Sequence, residues 1–235
     1  MSPLLEVAVA GVVDVAGAVA GGADRLLHAV PGADDGLSPD LAEASAVLRE
    51  SRVPVRVMLR LNDSATTTGG EFTRLIGLAE EYLALGAEGV AFGFLDTDLE
   101  IDTGTCAALA AALPGVPWTF HRLVDRALDP RHVWRDLRGL AGLTAVASAG
   151  SPQGLGHGYD DLLALAESDP EVARLLQPAG GLVAEQVPWW LRAGVWQFRV
   201  EGQVRPGGSS KAYVDEALVR SWRTLLDSAS ARLSR

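Results

Sequence analysis

A histidine and an arginine stand side by side at the end of an apolar run, in the stretch TFHRLVD from Thr119 to Asp125. An imidazole titrates near neutral pH and can exchange a proton with a bound molecule, whereas a guanidinium suits carboxylate or phosphate oxygens. We predict that His121 is catalytic or ligand-binding, against the alternative of a buried histidine hydrogen-bonded to a carboxylate. Arg122 is predicted either to bind substrate or to form an ion pair with Asp125.

Glu6 is the second candidate catalytic residue, because it interrupts the apolar run LLEVAVA at 4–10. A carboxylate buried in such a run needs a polar partner, since an unpaired buried charge is strongly unfavourable. We expect an arginine across the fold to be that partner. Glu6 is also predicted to serve with His121, as its partner or as the base, within one or two side-chain contacts of the imidazole.

Short apolar, β-rich runs alternate with helical patterns along the whole chain. The helical patterns carry apolar residues at i, i+3, i+4 and i+7, begin at Asp, Ser or Pro and end at Gly. Strand–helix repeats without a Pro/Gly/Ser linker predict one α/β domain over 1–235, a (β/α)8 TIM barrel, with a doubly wound sheet as the alternative. The predicted strands cover 4–10, 24–30, 53–61, 88–95, 116–123, 143–149, 175–180 and 195–202, of which 175–180 is the weakest because it contains Pro178.

Active sites of TIM barrels lie at the carboxyl ends of the strands, where this chain carries several polar residues. Three guanidiniums, those of Arg25, Arg60 and Arg199, would repel one another there unless an anion or internal acids neutralised them. One interpretation is a bound anionic small molecule, and the other is a closed network with the acids Glu6, Asp24, Asp96 and Glu201. The residues predicted to bind substrate are Arg25, Arg60, Arg122, Ser148 and Arg199.

Two glycine-rich stretches follow later strands. The tract from Gly150 to Gly158 predicts a flexible loop over the mouth, which could serve as a lid. The glycines of PAGGLVAEQ stand where many barrels bind phosphate on backbone amides.

The composition is that of an ordinary globular protein, with 235 residues, 48% hydrophobic and 21% charged. A formal net charge of −10 disfavours nucleic acid and anionic membranes, which need a basic surface. The apolar N-terminal stretch lacks a basic region, so no signal peptide is expected, and no run reaches the length of a membrane span. One cysteine excludes an intramolecular disulfide and multi-cysteine metal clusters. We expect a cytoplasmic protein without nucleic-acid or membrane partners, and leave open whether it forms a homo-oligomer.

Several motifs follow one another in a specific order: GGADRLLHA, DDGLSPDL, the arginine of VMLRL, GFLDTDLEID, TFHRLVD, ASAG and LRAGV. In this order and spacing the chain resembles the CutC family of copper homeostasis proteins, from Leu4 to about residue 200. The resemblance implies a TIM barrel, in agreement with the strand count, and a role in copper homeostasis.

The chain departs from the family pattern at strands two, three and eight. Leu26 to Ala29 lack the carboxylate and the cysteine that the family carries after GADR. Arg60 to Asn62 stand in place of the family's RPR, and Arg199 to Glu201 in place of a histidine and two serines. His121 and Arg122 match the family. The parts of the site on strands one and five are therefore expected to be retained, with strand six as a further candidate.

Copper binding depends on the ligands present. Cytosolic Cu(I) prefers thiolate and thioether sulfur, and beyond the first residue this chain offers only Cys106 and Met58. A lone cysteine early in a helix is more often a small buried apolar residue than a ligand. The four histidines lack close ligand spacing, although His28 and His121 could meet at the mouth. We therefore predict no metal site and no cofactor, with copper kept as an alternative ligand.

Three functions remain open from the sequence. The first is a CutC-like copper homeostasis protein with a ligand site at the barrel mouth. The second is an enzyme, a lyase, isomerase or proton-transfer catalyst, that acts on a small anionic metabolite through His121 and Glu6. The third is a non-catalytic interaction scaffold. The expected partner is a small anionic molecule or a copper ion.

Overall fold

The computed structural model describes residues 2–233, with the backbone alone at position 131. Its parallel strands alternate with helices and form a nearly closed barrel, which confirms the predicted TIM barrel. The strands are β1 Leu4–Val9, β2 Arg25–His28, β3 Val55–Met58, β4 Gly89–Phe92, β5 Trp118–Phe120, β6 Leu143–Ser148, β7 Leu176–Pro178 and β8 Gln197–Val200. Each strand lies inside one of the predicted runs.

The helices surround the sheet and are α1 Val12–Ala20, α2 Leu41–Glu50, α3 Gly69–Ala84, α4 Thr103–Ala112, α5 Pro130–Leu137, α6 Leu155–Ser168, α7 Pro170–Leu175, α8 Val187–Arg192 and α9 Glu216–Leu233. Side-chain oxygens at several N-termini accept backbone N–H groups that the helix itself leaves unpaired. Thr68 and Glu71 form such a reciprocal capping box at the start of α3. None of the described helices is both long and apolar enough to cross a membrane.

The barrel has a seam between β7 and β8. The hydrogen-bonded strand order runs from β7 through β6 to β1 and ends at β8. β7 has three residues and includes Pro178, which has no N–H to donate to a ladder. Side chains bridge the gap instead: Arg199 Nη2 donates to Gln177 Oε1 at 3.1 Å, and Gln197 Nε2 donates to the Arg174 carbonyl at 3.3 Å.

Alternate residues of each strand face the helices or the barrel interior. In β1, Leu5 and Val7 face the helices and join the main hydrophobic core. Glu6 lies between them and is in register with Arg25 of β2 and Arg199 of β8, so these three side chains share the interior. The interior is therefore polar where β1, β2 and β8 meet. A small apolar cluster fills another part of it and consists of Leu27, Met58 and Ala91.

The glycine-rich tract after β6 differs from the predicted flexible loop. Helix α6 begins at Leu155, within the tract. Gly158 is packed so closely that a Cβ there would lie 2.2 Å from the Ala149 carbonyl oxygen. The second half of the tract is therefore part of a packed helix, and the lid interpretation is wrong for it.

Candidate functional site

Glu6 joins two arginines inside the barrel. Its Oε2 accepts a hydrogen bond from Arg25 Nε at 2.5 Å, and its Oε1 accepts one from Arg199 Nε at 2.6 Å. Burial alone would raise the pKa of Glu6, but the positive charges of Arg25, Arg199 and Arg56 outweigh burial and lower the pKa to about 2. Glu6 is therefore an ionised partner of two guanidiniums across the physiological pH range, and a very weak base.

A further interior arginine, Arg56 of β3, lies toward the amino ends of the strands. Its Nε pairs with Glu88 Oε2 at 3.1 Å and its Nη1 donates to Thr119 Oγ1 at 2.5 Å. The sequence analysis missed this residue. The signal was present in VRVMLR, where Arg56, Met58 and Arg60 alternate with apolar residues and so share one face of the strand.

The mouth of the barrel opens into a cavity of about 850 Å3 at the carboxyl ends of β1, β2, β7 and β8. Loop backbone forms much of its wall, including Gly180 and Gly181 after β7 and Gly202 after β8. Of the residues predicted to bind substrate, Arg25, Arg60 and Arg199 are each 6% exposed or less and do not line this cavity. Arg60 and Arg199 reach it through two acids of its wall.

Two acids of the loop after β2 approach these arginines. Asp35 Oδ2 accepts a hydrogen bond from Arg199 Nη1 at 2.6 Å, and Asp34 Oδ2 lies 3.1 Å from Arg60 Nη2. Four acids were predicted to neutralise the arginines, namely Glu6, Asp24, Asp96 and Glu201. Of these four, only Glu6 forms an ion pair with them. Asp24 instead pairs with Arg223 of α9. Asp34 and Asp35 were missed because no periodic pattern places a loop side chain.

His121 ends β5 and caps the following 3₁₀ turn. Its Nδ1 accepts a hydrogen bond from the Leu123 N–H at 3.1 Å, which places the proton of the neutral ring on Nε2. Burial, followed by the positive charges of Arg60 and Arg199, holds the pKa of His121 well below its usual value, against a smaller opposite effect of the Gly93 carbonyl. No hydrogen bond joins Glu6 to His121, and Arg199 bonds Glu6 while acting on His121 electrostatically. His121 thus presents a fixed N–H donor.

Arg122 and Ser148 belong to a different cluster, centred on Asp125. Asp125 Oδ2 lies 3.1 Å from Arg122 Nε, and Ser148 Oγ donates to Asp125 Oδ1 at 2.7 Å. The Asp125 carboxylate also accepts the backbone N–H groups of Ala149 and Gly150. Asp125 and Ser148 line a separate cavity of about 530 Å3 beside α5 and α6. The ion pair considered for Arg122 is present, and Ser148 faces away from the mouth.

Several buried nitrogen donors around the barrel interior have no hydrogen-bond partner within the described residues. They are Arg25 Nη2, Arg60 Nε, His121 Nε2 and Gln177 Nε2. Buried polar atoms are normally paired, and each unpaired one costs about 1–3 kcal/mol. Asp34 Oδ2, 3.1 Å from Arg60 Nη2, is a buried acceptor without a hydrogen bond, so donors outnumber acceptors here. An excess of donors is the arrangement expected around an acceptor-rich ligand.

His28 does not meet His121. It follows Leu27, which faces the interior, and so lies on the opposite face of β2, where its Nδ1 is 3.2 Å from the Val9 carbonyl. No group of three or more metal-binding His, Cys, Asp or Glu side chains occurs in the part of the chain that the structure describes. A copper site built from the two histidines is therefore contradicted by their placement.

The thiol of Cys106 is expected to be unreactive in the native protein. It is fully buried on α4, and burial raises the pKa of its thiol to about 12, so almost no thiolate forms at pH 8. A thiol-reactive dye should label the native protein slowly and the guanidinium-unfolded protein rapidly. The variant Cys106→Ala should take up as little Cu(I) as the wild type in a competition titration. Rapid native labelling, or copper uptake abolished by this substitution, would contradict the assignment.

A family model described as the CutC family matches residues 3–200. The human copper homeostasis protein cutC homolog is 30% identical over 187 residues, which cover 77% of this chain and 62% of the human protein. The match thus spans less than two thirds of that relative. A CutC family protein of Xylella fastidiosa is 28% identical over 208 residues, which cover 85% of this chain and 74% of that protein.

Solved structures show the same fold. A CutC protein from Streptococcus agalactiae superposes with a TM-score of 0.72 at 22% identity, covering 84% of this chain and 97% of that chain. A rubisco-like protein from Burkholderia fungorum superposes with a TM-score of 0.65 at 15% identity, covering 98% of this chain and 61% of that chain. At these identities the likeness concerns the fold alone. The CutC family model extends over most of this chain, and the chain therefore belongs to the CutC family.

Proposed function

We propose that this CutC-family barrel binds a small anionic molecule at its mouth, in the cytoplasm. The role of the protein in the cell depends on this ligand. The observation that supports the proposal is the set of buried donors Arg25 Nη2, Arg60 Nε, His121 Nε2 and Gln177 Nε2, which have no partner within the described residues. Two acids of the cavity wall, Asp34 and Asp35, contact the arginines of this interior. An anion's oxygens would accept from these nitrogens and remove the cost of leaving them unpaired.

The chemistry of the site favours binding over proton transfer. Glu6, the predicted base, has its pKa lowered to about 2 by its arginine partners. His121 is neutral and its unpartnered ring nitrogen, Nε2, already carries the proton, so it can polarise an oxygen but cannot accept a proton there. An efficient general base needs a pKa near the working pH, and neither residue provides it.

Copper homeostasis is the role in the human relative's name, and for this chain we propose an indirect route to it. Cu(I) prefers sulfur, yet the single cysteine is buried with a raised pKa. The unpartnered interior groups are N–H donors of guanidinium, amide and neutral imidazole, which offer no lone pair to a cation. A copper role would therefore act through the anionic ligand and not through a copper ion held by these side chains.

Anionic probes are expected to stabilise the protein against heat. Inorganic phosphate, acetate and malonate, titrated at constant ionic strength, should raise the melting temperature of the wild type. Saturation at roughly 100 times Kd corresponds to about 2.7 kcal/mol of stabilisation. Arg60→Gln should weaken the effect about tenfold or more, as expected for loss of a charged hydrogen bond.

Arg52→Gln is the matched control, because Arg52 is exposed and forms none of the site contacts. It should respond to the probes as the wild type does. A wild type that is folded and unaffected by all three anions, or an equal loss in both variants, would overturn the proposed function.

A further inference from the structure

The loop between β2 and α2 places one of the protein's own carboxylates in the mouth. The Asp35 side chain is 4% exposed, yet it lines the cavity at the barrel mouth. Its Oδ2 accepts hydrogen bonds from Arg199 Nη1 at 2.6 Å and from the Arg122 backbone N–H at 2.9 Å. A guanidinium and a backbone amide converge on this one oxygen.

The rest of the loop is fixed by contacts that do not involve Asp35. Val30 and Leu37 form an isolated antiparallel bridge at its base. Asp63 Oδ1 accepts the Ala33 N–H at 2.9 Å, and Arg60 Nη1 donates to the Ala33 carbonyl at 2.7 Å. The Asp35 side chain can therefore leave its two donors while the base of the loop stays anchored.

The backbone next to Asp35 is in an unfavourable conformation. Asp34 has φ +54°, in the left-handed region that L-residues other than glycine seldom adopt. Residues held this way are strained and persist where surrounding contacts fix them. The contacts of Asp35 with Arg199 and Arg122 help to fix this conformation, and a ligand that replaced them would allow it to relax.

We propose that Asp35 is an internal competitor: its carboxylate occupies the subsite for a carboxylate group of the ligand, which binds by displacing it from Arg199 Nη1 and the Arg122 N–H. This inference rests on the proposed function and names the ligand class, a carboxylic acid in its ionised form. Asp35 also regulates the site, because the apparent affinity falls in proportion to the fraction of molecules in which the subsite is free.

The electrostatics of the subsite favour a carboxylate over a phosphate. Two acids lie close by: Glu6 shares Arg199 with Asp35, and Glu201 lines the same cavity. The negative charge of Asp35 contributes to a raised pKa of Glu201, after burial. Each additional negative charge on a ligand would be repelled by these groups, so a singly charged carboxylate fits better than a doubly charged phosphate.

The test compares wild type with Asp35→Ala by calorimetric titration, using acetate and inorganic phosphate at constant ionic strength. Asp35→Ala should bind acetate at least about tenfold more tightly than the wild type, because the subsite is free in every molecule. Phosphate gains only from the removed negative charge, so its gain should be the same in Asp35→Ala and Asp35→Asn, whereas acetate should gain more in Asp35→Ala. Asp35→Asn, which keeps the shape but not the charge, should show a smaller gain and serves as the second variant if Asp35→Ala does not fold.

Asp63→Ala is the control for a loosened loop, because it removes the anchor at Ala33 while leaving the Asp35 carboxylate in place. It should bind acetate as the wild type does. An equal gain in Asp63→Ala, an acetate gain no larger in Asp35→Ala than in Asp35→Asn, or no gain in either Asp35 variant would overturn the inference while the wild type still binds anions. If neither wild type nor variants bind any probe, the proposed function itself fails.

Discussion

Replacing Glu6 with glutamine is expected to lower the free energy of unfolding by about 3–5 kcal/mol, the range found when one partner of a buried ion pair is removed. Glu6 is fully buried, and each of its oxygens bonds a different arginine. A neutral amide cannot balance the charges of Arg25 and Arg199, which are themselves 6% and 3% exposed and cannot reach bulk water. The barrel would retain Arg25 without its charged partner, and Arg199 would keep only Asp35, where β1, β2 and β8 meet.

Urea unfolding at neutral pH measures this effect, with Glu80→Gln on the exposed side of α3 as the matched control. The pH dependence supplies a second readout. The pKa of Glu6 is lowered from 4.5 to about 2, so the unfolded chain binds the proton first as the pH falls. The stability that the ion pairs contribute is therefore complete above about pH 4.5 and is lost as the pH approaches 2. A Glu6→Gln variant within about 0.5 kcal/mol of the control would contradict this role.

The architecture could be predicted because it depends on features that recur along the chain. Eight apolar runs separated by helical patterns admit few folds, and each run contains a strand of the barrel. The predicted runs are longer than the strands because apolar residues continue past the last ladder hydrogen bond. In the fourth run, Leu95 is buried although the strand ends at Phe92, and its N–H bonds a loop carbonyl, that of Ala65. The hydrophobic pattern of a sequence indicates which residues are buried, whereas a strand ends where its backbone hydrogen bonding to the neighbouring strand ends.

The interior part of the site follows from the two-residue period of strands. That period places Glu6 among arginines of other strands, and the expected arginine partner is present twice. Ser148 was predicted only because it is the polar residue that ends the sixth run. It lies two residues after Val146, which packs in the main hydrophobic core, so the strand period places Ser148 on the same outer face. There it contacts Asp125 outside the barrel.

The contribution of Asp35 could not be predicted for a different reason. It lies in a loop and meets Arg199, which is 164 positions away in the sequence. The loop's path depends on a bridge, a left-handed residue and several side-chain to backbone hydrogen bonds, none of which has a periodic signature. Residues placed by regular elements were accessible to sequence reasoning, whereas this loop residue required coordinates.

His121→Gln is expected to weaken binding of an anionic probe by about tenfold to a hundredfold, as for loss of one buried hydrogen bond to a charged group. The Leu123 N–H holds the imidazole through Nδ1. This leaves the Nε2–H buried and free to donate to a ligand, since it has no hydrogen-bond partner within the described residues. The longer, flexible glutamine amide can still pair with Leu123 but cannot present its second group in the same fixed position. Isothermal titration at pH 7.5 measures the loss, and circular dichroism checks that the barrel remains folded.

His28→Gln provides the control, since His28 is also fully buried but lies on the opposite face of its strand. The pKa of each histidine is lowered by burial, so each is neutral in the folded protein and becomes protonated first in the unfolded chain. Stability should therefore fall as the pH drops below about 6.5, the ordinary histidine pKa, and each variant should reduce that fall.

Only His121→Gln should weaken anion binding, and in the wild type that binding should show no titration step between pH 6 and 8. A step near pH 6.5 that disappears in His121→Gln would instead show that His121 exchanges a proton with its ligand.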